Sequence, residues 1–478
     1  MEKKVVFVSG HFNILHPGHL RLFRFAKELG HKLVVGVESD EMAGRAAYIN
    51  ENLRLESVKS ISWIDESFVI NEPLNSLLER LKPDIVVKGK EHETRLNPEL
   101  LVLEKYGGKL LFSSGETIFS SVDLIRKEFY ESDPRTISLP LEYLKRHDVS
   151  LLKLISLLES FSKLKVCVVG DLIVDEYITC QPLGMSQEDP TIVVTPIDST
   201  CFIGGAGIVA AHAAGLGASV QFVSVTGDDT ARQFAIDGLA QAGVHSLLLV
   251  DDSRPTTLKQ RFRSKGKSML RVSYLHQEAI SVTLQKQILE AVEKIIDEVD
   301  VLVFSDFNYG CLPQALVNQI VELAKARNII LAADSQSSSQ VGDISRFKNM
   351  GLLTPTEREA RISSRNHEDG LVVLAEQLRQ QSGAGNILLK LGEEGLLIHA
   401  GSEDPAEWLT DRIGALNSSP KDVAGAGDSL LIASAMTLAC KGNIWEAACL
   451  GSLAAAIQVG RVGNTPLKTK ELMQELTQ

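Results

Sequence analysis

The sequence predicts an α/β protein of two successive units, the first built on a parallel sheet and the second carrying a small β lid. Three observations carry this expectation. Short apolar, β-branched runs alternate with amphipathic stretches through the first third of the chain and again from Lys165 onward, which is the pattern of βαβ units. Between the two, residues 131–163 lose their strand runs and turn polar around Pro134 and Pro140. The length of 478 residues also exceeds the size at which a single hydrophobic core keeps growing.

In the first unit, strand-like runs at Val5–Ser9, Lys32–Val37, Ser67–Ile70, Asp84–Lys88 and Lys109–Phe112 alternate with helix-like stretches at Leu20–Leu29, Leu53–Ile61, Leu74–Leu81 and Ser121–Tyr130. We therefore divide the chain into a domain over 1–130, a linker with a lead-in helix (Leu151–Phe161) over 131–163, and a domain over 164–478. The second domain repeats the alternation at Lys165–Gly170, Ser219–Val225, Val301–Ser305, Ile329–Asp334 and Ile387–Leu391, with helices such as Thr283–Glu298 covering the sheet. Residues 175–200 and 256–276, rich in Val, Ile, Thr and Arg, read as strands outside that sheet and form the expected lid.

A formal net charge of −12 argues against nucleic-acid or anionic-membrane partners, which are met by basic fields. Anionic substrates must then be met by local devices. The six cysteines show no C-x-x-C spacing and sit mostly in apolar surroundings, as reduced, buried thiols do. No signal-peptide pattern opens the chain, and no apolar run approaches the ~20 residues of a membrane span. A cytoplasmic homo-oligomer acting on small molecules is expected.

Two glycine-rich turns carry the chemistry. After the first strand come Gly10, His11, Phe12, Asn13, Ile14, Leu15, His16, Pro17, Gly18 and His19. A glycine there lets the backbone approach a phosphate, and the following helix start carries about half a positive charge. His16 and His19, three apart, project to one side and can donate to phosphate oxygens as pyrophosphate leaves. A metal pair or histidines without function are the competing readings, and no third metal ligand lies at a suggestive spacing.

Near the other end, Asp422-Val-Ala-Gly-Ala-Gly-Asp428 leads into the small, apolar stretch Leu430–Ala439. The amides of Gly425, Ala426 and Gly427 can form an anion hole, and Asp428 is placed to take a proton from an acceptor hydroxyl. An N-terminal helix carboxylate without catalytic duty is the alternative. Arg261, Arg263, Lys265, Lys267 and Arg271 form a local cationic cluster suited to a phosphorylated sugar, or else a solvated lid edge.

On these residues the first third resembles the cytidylyltransferase-like nucleotidyltransferases, so a Rossmann-like domain is implied. Glu38-Ser39-Asp40, Arg54, the run Pro83–Gly89 and the pair Ser120-Ser121 extend the likeness. It implies that His16 and His19 stabilise the transition state, and that Gly10, Phe12, Asn13, Lys88, Ser120 and Ser121 contact the nucleotide. Residues 165–470 resemble the ribokinase-like (pfkB) sugar kinases through Gly204-Gly205-Ala206-Gly207, Asp171, Asp175 and the Gly425–Asp428 turn. That likeness implies a ribokinase-like α/β domain in which Asp171, Asp175, Gly204, Gly205, Arg261 and Arg271 bind the acceptor. It also implies that Lys390, Gly392 and Gly395 line the nucleotide, and that Glu359 organises Mg²⁺ through water.

Both halves resemble the bifunctional heptose kinase/adenylyltransferases of ADP-heptose synthesis, with the domain order reversed. The implied activities are ATP-dependent phosphorylation of a heptose 7-phosphate-like sugar at C1, and nucleotidyl transfer from ATP to a sugar 1-phosphate with release of pyrophosphate. ATP and Mg²⁺ are the implied cofactors, and sugar phosphates and nucleotides the partners. The chain departs from the pattern at Asn13 (Asp in the family), Val122 (Thr), Ile208 and His212 (Asn), Tyr309 (Lys) and Thr356 (Asn). Another sugar, CTP in place of ATP, or one half acting as a non-catalytic sensor are the open alternatives.

Overall fold

A computed structural model describes residues 4–13, 15, 17–44, 47, 49–89, 97–113, 136–264, 267–337, 342–401 and 409–477. The chain divides into two compact units, Met1–Pro134 with Asn366–Leu374, and Arg135–Arg365 with Ala375–Gln478.

In the first unit, strands β1 (Val5–Gly10), β2 (Lys32–Glu38), β3 (Glu66–Ile70), β4 (Ile85–Gly89) and β5 (Lys109–Ser113) form an all-parallel sheet in the order β3-β2-β1-β4-β5. Both faces are buried, so the twofold alternation of each strand supplies two cores. Val6, Val8 and Val87 pack with Leu22, Phe23, Ala26 and Val58 from helices Pro17–Glu28 and Glu51–Lys59. Phe7 and Val86 pack on the other side with Leu77, Leu78, Val102 and Leu103 from helices Leu74–Leu81 and Glu99–Glu104. Strand order reverses between β1 and β4, and the crevice beyond the strand ends at such a switch point is where a doubly wound sheet takes its ligand. Gly10 and Gly89 close the two strands there.

Among the described residues the main sheet of the second unit has nine strands, β6 (Lys165–Gly170), β9 (Ser219–Thr226), β10 (Val244–Val250), β13 (Val301–Asp306), β14 (Ile330–Ser335), β15 (Leu352–Leu353), β16 (Asn386–Lys390), β17 (Leu396–Ala400) and β18 (Leu409–Ile413). Their order is β10-β9-β6-β13-β14-β15-β16-β17-β18, parallel up to β16 and antiparallel for the last two pairs. The lid is a separate sheet, β12 (Lys267–Tyr274), β11 (Thr257–Ser264), β7 (Leu172–Met185) and β8 (Ile192–Gly205), in the order β12-β11-β7-β8. Its two long strands are anchored at Leu172–Tyr177 and Ile203–Gly205 and run outward into exposed residues.

Helices Leu141–Arg146 and Leu151–Ser160 bury Tyr143, Leu144, Leu154, Leu157 and Leu158 in the core of the second unit. Among the described residues no helix is long and apolar enough to cross a membrane. Helices Ala426–Ala439 and Ile444–Val459 are apolar nearly all round because both are almost wholly buried. The unit is packed closely elsewhere too: a Cβ on Gly215, at the end of helix Ala206–Gly215, would lie 2.0 Å from the Leu467 carbonyl oxygen. Gly215→Ala should therefore cost about 1–3 kcal/mol. Calorimetry should show the transition of the second unit shifted down by several degrees, and an unshifted transition would contradict this packing.

Candidate functional site

The Gly425 turn works because of its backbone. Gly425 has φ +75°, the left-handed region, and a Cβ there would meet Asn464 Oδ1 at 2.5 Å. The turn delivers Ala426 as the first residue of the buried helix, its amide donating to the Val423 carbonyl at 3.4 Å, and Gly425 and Gly427 border a cavity of about 550 Å³ at that helix start. Asp428, only 5 % exposed, lines that cavity with Oδ1 unpartnered. Burial, and then the nearby Asp334, push its carboxyl up to about 7, against the opposing pull of Lys390.

Lys390, at the end of β16, bridges this group to the sheet. Its Nζ lies 2.7 Å from Asp334 Oδ2, and a Cβ on Gly427 would sit 3.1 Å from the same nitrogen. Burial alone would lower the ammonium, but Asp334, Glu359 and Asp428 around it raise it. Asp334 is itself pushed up to about 6 by burial. Glu359 also lines the cavity, and it is held firmly. Its Oε1 accepts from Ser337 N and its Oε2 from Thr356 N, both at 2.8 Å, while Thr356 Oγ1 accepts from Glu359 N at 3.3 Å. That capping box starts helix Glu357–Ser364. A carboxylate so fixed presents its remaining lone pairs to the cavity. With Asp428 Oδ1 it suits a hard cation held largely by water and phosphate oxygens, and among the described residues no cluster of three metal-binding side chains stands ready.

The opposite wall is basic and comes from the lid. Arg261 and Arg271 lie directly opposite each other on β11 and β12, and both line the cavity. Arg261 Nη2 stands 3.7 Å from Asp175 Oδ1, whose carboxyl burial raises. Asp175 Oδ2 is 3.5 Å from Asn464 Nδ2. Gly205 borders the same space, and Gly204 makes room for the carboxylate, since a Cβ there would lie 2.4 Å from Asp175 Oδ2.

Some residues singled out in the sequence lie off this cavity's lining. Asp171 does not line the cavity. Its carboxylate accepts from the amides of Phe307, Tyr309 and Cys311, so its role is to shape that loop, and burial pushes it up to about 6. Gly392 and Gly395 lie in the turn between β16 and β17, away from the cavity lining. Gly395 is there because a Cβ would meet the Ile413 carbonyl at 2.1 Å. His212 is fully buried with Nδ1 accepting from Leu467 N, and burial lowers it to about 3, so it is a neutral core residue. Lys259 also lines the cavity, and so do Arg358, Ser337 and Asn464, which the sequence did not single out. Lys259 stands 5.1 and 5.0 Å over the Phe307 and Tyr309 rings, which brings an ammonium to the very loop where the family's lysine is replaced by Tyr309.

In the first unit the Gly10 turn is fixed from below by Arg54. This fully buried guanidinium donates to the carbonyls of His11 and Ile49 and pairs with Asp40 at 2.6 Å. Phe12 adopts φ +48° and is buried, with the His19 ring edge-on at 5.1 Å. His11 Nδ1 lies 3.1 Å from Glu38 Oε2, which raises the imidazole and lowers the carboxyl. Asn13 is half-buried beside them. Lys88 ends β4 as expected, yet its ammonium is engaged by Glu99 at 2.7 Å and Asn97 at 3.2 Å, so a nucleotide would have to share it. His16, Ser120 and Ser121 lie outside the described residues, as does Lys265.

Comparison with known proteins gives these placements a context. Residues 163–470 match the model of the pfkB family carbohydrate kinases, and residues 7–112 match that of the cytidylyltransferase-like proteins. The chain is 31% identical over 320 residues to the bifunctional protein HldE of Desulfatibacillum aliphaticivorans, covering 66% of this chain and 64% of that protein. It is 32% identical over 317 residues to HldE of Pseudomonas paraeruginosa, covering 65% and 63%. Each match thus spans less than two thirds of the relative's own length. Among solved structures, Arabidopsis thaliana ribokinase complexed with ribose and ATP aligns with a TM-score of 0.52 at 17% identity, over 66% of this chain and 99% of that one. Escherichia coli phosphofructokinase-2 with substrates and products aligns at 0.54 and 16%, over 66% and 98%.

The ionisation of Asp428 has a measurable consequence. Its folded value of about 7 lies above the ordinary 3.8, so the folded state keeps a proton that the unfolded chain has already lost. Stability is therefore full below the unfolded value and falls as pH rises toward 7. Asp428→Asn escapes that loss. Its melting temperature should exceed the native chain's by several degrees at pH 8 and converge with it near pH 4. An advantage that stayed constant with pH would contradict a buried, raised carboxyl.

Proposed function

We propose that this chain, which belongs to the pfkB family of carbohydrate kinases, is a bifunctional sugar-phosphate enzyme. Residues 164–478 would phosphorylate C1 of a heptose 7-phosphate-like sugar from ATP, and residues 1–130 would join a sugar 1-phosphate to the AMP part of ATP. The observation that carries the first activity is the unpartnered, buried Asp428 Oδ1 beside the Gly425–Gly427 turn, in a cavity whose far wall is basic.

In the kinase reaction the acceptor hydroxyl gives its proton to Asp428 while its oxygen bonds to the γ-phosphorus and the bridging oxygen leaves with ADP. The amides at the helix start and Lys390 meet the charge on the transferred group. Mg²⁺ when bound neutralises part of the triphosphate charge, and Glu359 with Asp428 would hold it, largely through water. Arg261, Arg271 and Lys259 receive the 7-phosphate, while Asp175 and Asn464 take sugar hydroxyls.

In the first unit the sugar 1-phosphate oxygen attacks the α-phosphorus and pyrophosphate departs. Gly10, Phe12 and Asn13 shape the nucleotide turn at the switch point, with Lys88, Ser120 and Ser121 beside the nucleotide. His16 and His19 donate to the departing oxygens. The curated relatives are named bifunctional, which supports two activities, and the order of the two family matches supports a chain with the nucleotidyltransferase-like part first. We assign the enzyme to the cytoplasm and to a homo-oligomer, the latter supported by the exposed Leu183, Met185, Ile192 and Ile197 of the lid.

The two chemistries should separate by substitution. Asp428→Asn should cut ADP formation with heptose 7-phosphate by at least about 100-fold and leave pyrophosphate release with heptose 1-phosphate unchanged. His16→Ala should do the reverse. Loss of both activities in either variant, or neither activity in the native chain, would overturn the two-site reading.

A further inference from the structure

We propose that Tyr177 is the residue through which the lid sets the geometry of the Gly425–Gly427 turn, so that the turn is fully aligned only when an anionic acceptor is seated on the basic strand. This rests on the kinase reading above. Tyr177 is 6 % exposed and is not among the residues lining the cavity, so it acts through others.

Its hydroxyl donates to Asp422 Oδ2 at 2.9 Å. Asp422 is the first residue of the phosphoryl-transfer turn, and its carboxylate ties that turn to the chain around Gly463. The same Oδ2 accepts from Gly463 N at 3.1 Å, and Oδ1 accepts from Ala424 N at 3.1 Å. The fully buried Gln458 completes the brace, its Nε2 donating to the carbonyls of Ala424 at 3.2 Å and Gly463 at 3.0 Å. Burial raises the Tyr177 phenol, so the hydroxyl keeps its proton and remains a donor.

The ring of Tyr177 faces the acceptor side. β7 and β11 are paired in parallel register with Arg261 opposite Tyr177, and the Arg261 and Arg263 guanidinium carbons stand 5.4 and 4.7 Å from the ring centroid. Phe202 closes the ring from the neighbouring strand, edge-on at 5.1 Å. Arg261 belongs to two groups at once, the cavity wall and the stack on Tyr177. A phosphate that draws Arg261 toward it therefore changes the load on a ring whose other end is hydrogen-bonded to the turn. Through this link the acceptor's charge, bound on the lid, reaches the amides that must receive the transferred phosphoryl group.

The test uses the full chain and Tyr177→Phe, which keeps the stacked ring and removes the donor. Phosphorylation of heptose 7-phosphate should lose about ten-fold in kcat while its KM stays within about two-fold, the expected weight of one hydrogen bond to a charged group. Transfer should fall relative to acceptor-independent ATP hydrolysis by a similar factor, and pyrophosphate release by the first unit should not move. Arg263→Ala, which removes a half-buried guanidinium from the ring and is not among the residues lining the cavity, should lower kcat about three-fold at unchanged KM, a change on the order of a cation–ring contact. It decides the matter if Tyr177→Phe fails to fold. A native chain that phosphorylates beside variants with full kcat, or with losses confined to KM, overturns the coupling alone. A native chain that phosphorylates no sugar phosphate overturns the kinase reading with it.

Discussion

The second unit depends on holding three carboxylates, Asp334, Glu359 and Asp428, and one ammonium, Lys390, together with little exposure to solvent. Bringing such charges out of water is costly unless each is paired or hydrogen-bonded. Lys390 pairs with Asp334, and the capping box satisfies Glu359. Asp334 Oδ1 and Asp428 Oδ1 are left without partners, and burial keeps a proton on Asp428 to about neutral pH. On its inner side the helix that carries Asp428 packs against helix Ile444–Val459, closely enough that a Cβ on Gly451 would lie 2.2 Å from Ser434 Oγ.

The basic wall answers the net charge of −12 by geometry. Arg261 and Arg271 face each other because β11 and β12 pair in that register, while Lys259 lies two residues along the same strand face from Arg261. An acidic protein thereby presents a cationic wall to the cavity, on a sheet separate from the one whose strands carry Asp334 and Lys390.

How much the sequence discloses depends on the range of the forces involved. The Gly425–Asp428 turn is legible because its chemistry is local: a left-handed glycine, a helix start and a carboxylate within four residues. The parallel sheets are legible for the same reason, as apolar runs of strand length. Asn464 and Arg358 are not, since they reach the cavity through packing across the unit and have ordinary neighbours in sequence. Asp171 misleads in the other direction: it lies just after a strand and is acidic, yet three amides from residues 307–311 consume its carboxylate. The short β15 and the antiparallel pair β17–β18 also escape a reading tuned to βαβ units, because their partners are set by the sheet edge they extend.

The outer half of the lid has a consequence for how the protein can meet other chains. β8 and β12 are the rims of their sheet, each offering backbone groups that a foreign strand could join. On β8, Pro196 lacks an amide hydrogen and sits where the ladder shifts register beside Cys180. On β12, Lys267 and Arg271 put charge along the rim. Between the rims, Met185 and Ile192 stand opposite one another as bare apolar side chains. The rims thus carry features that disfavour growth strand by strand, while the lid leaves apolar side chains uncovered near its tip.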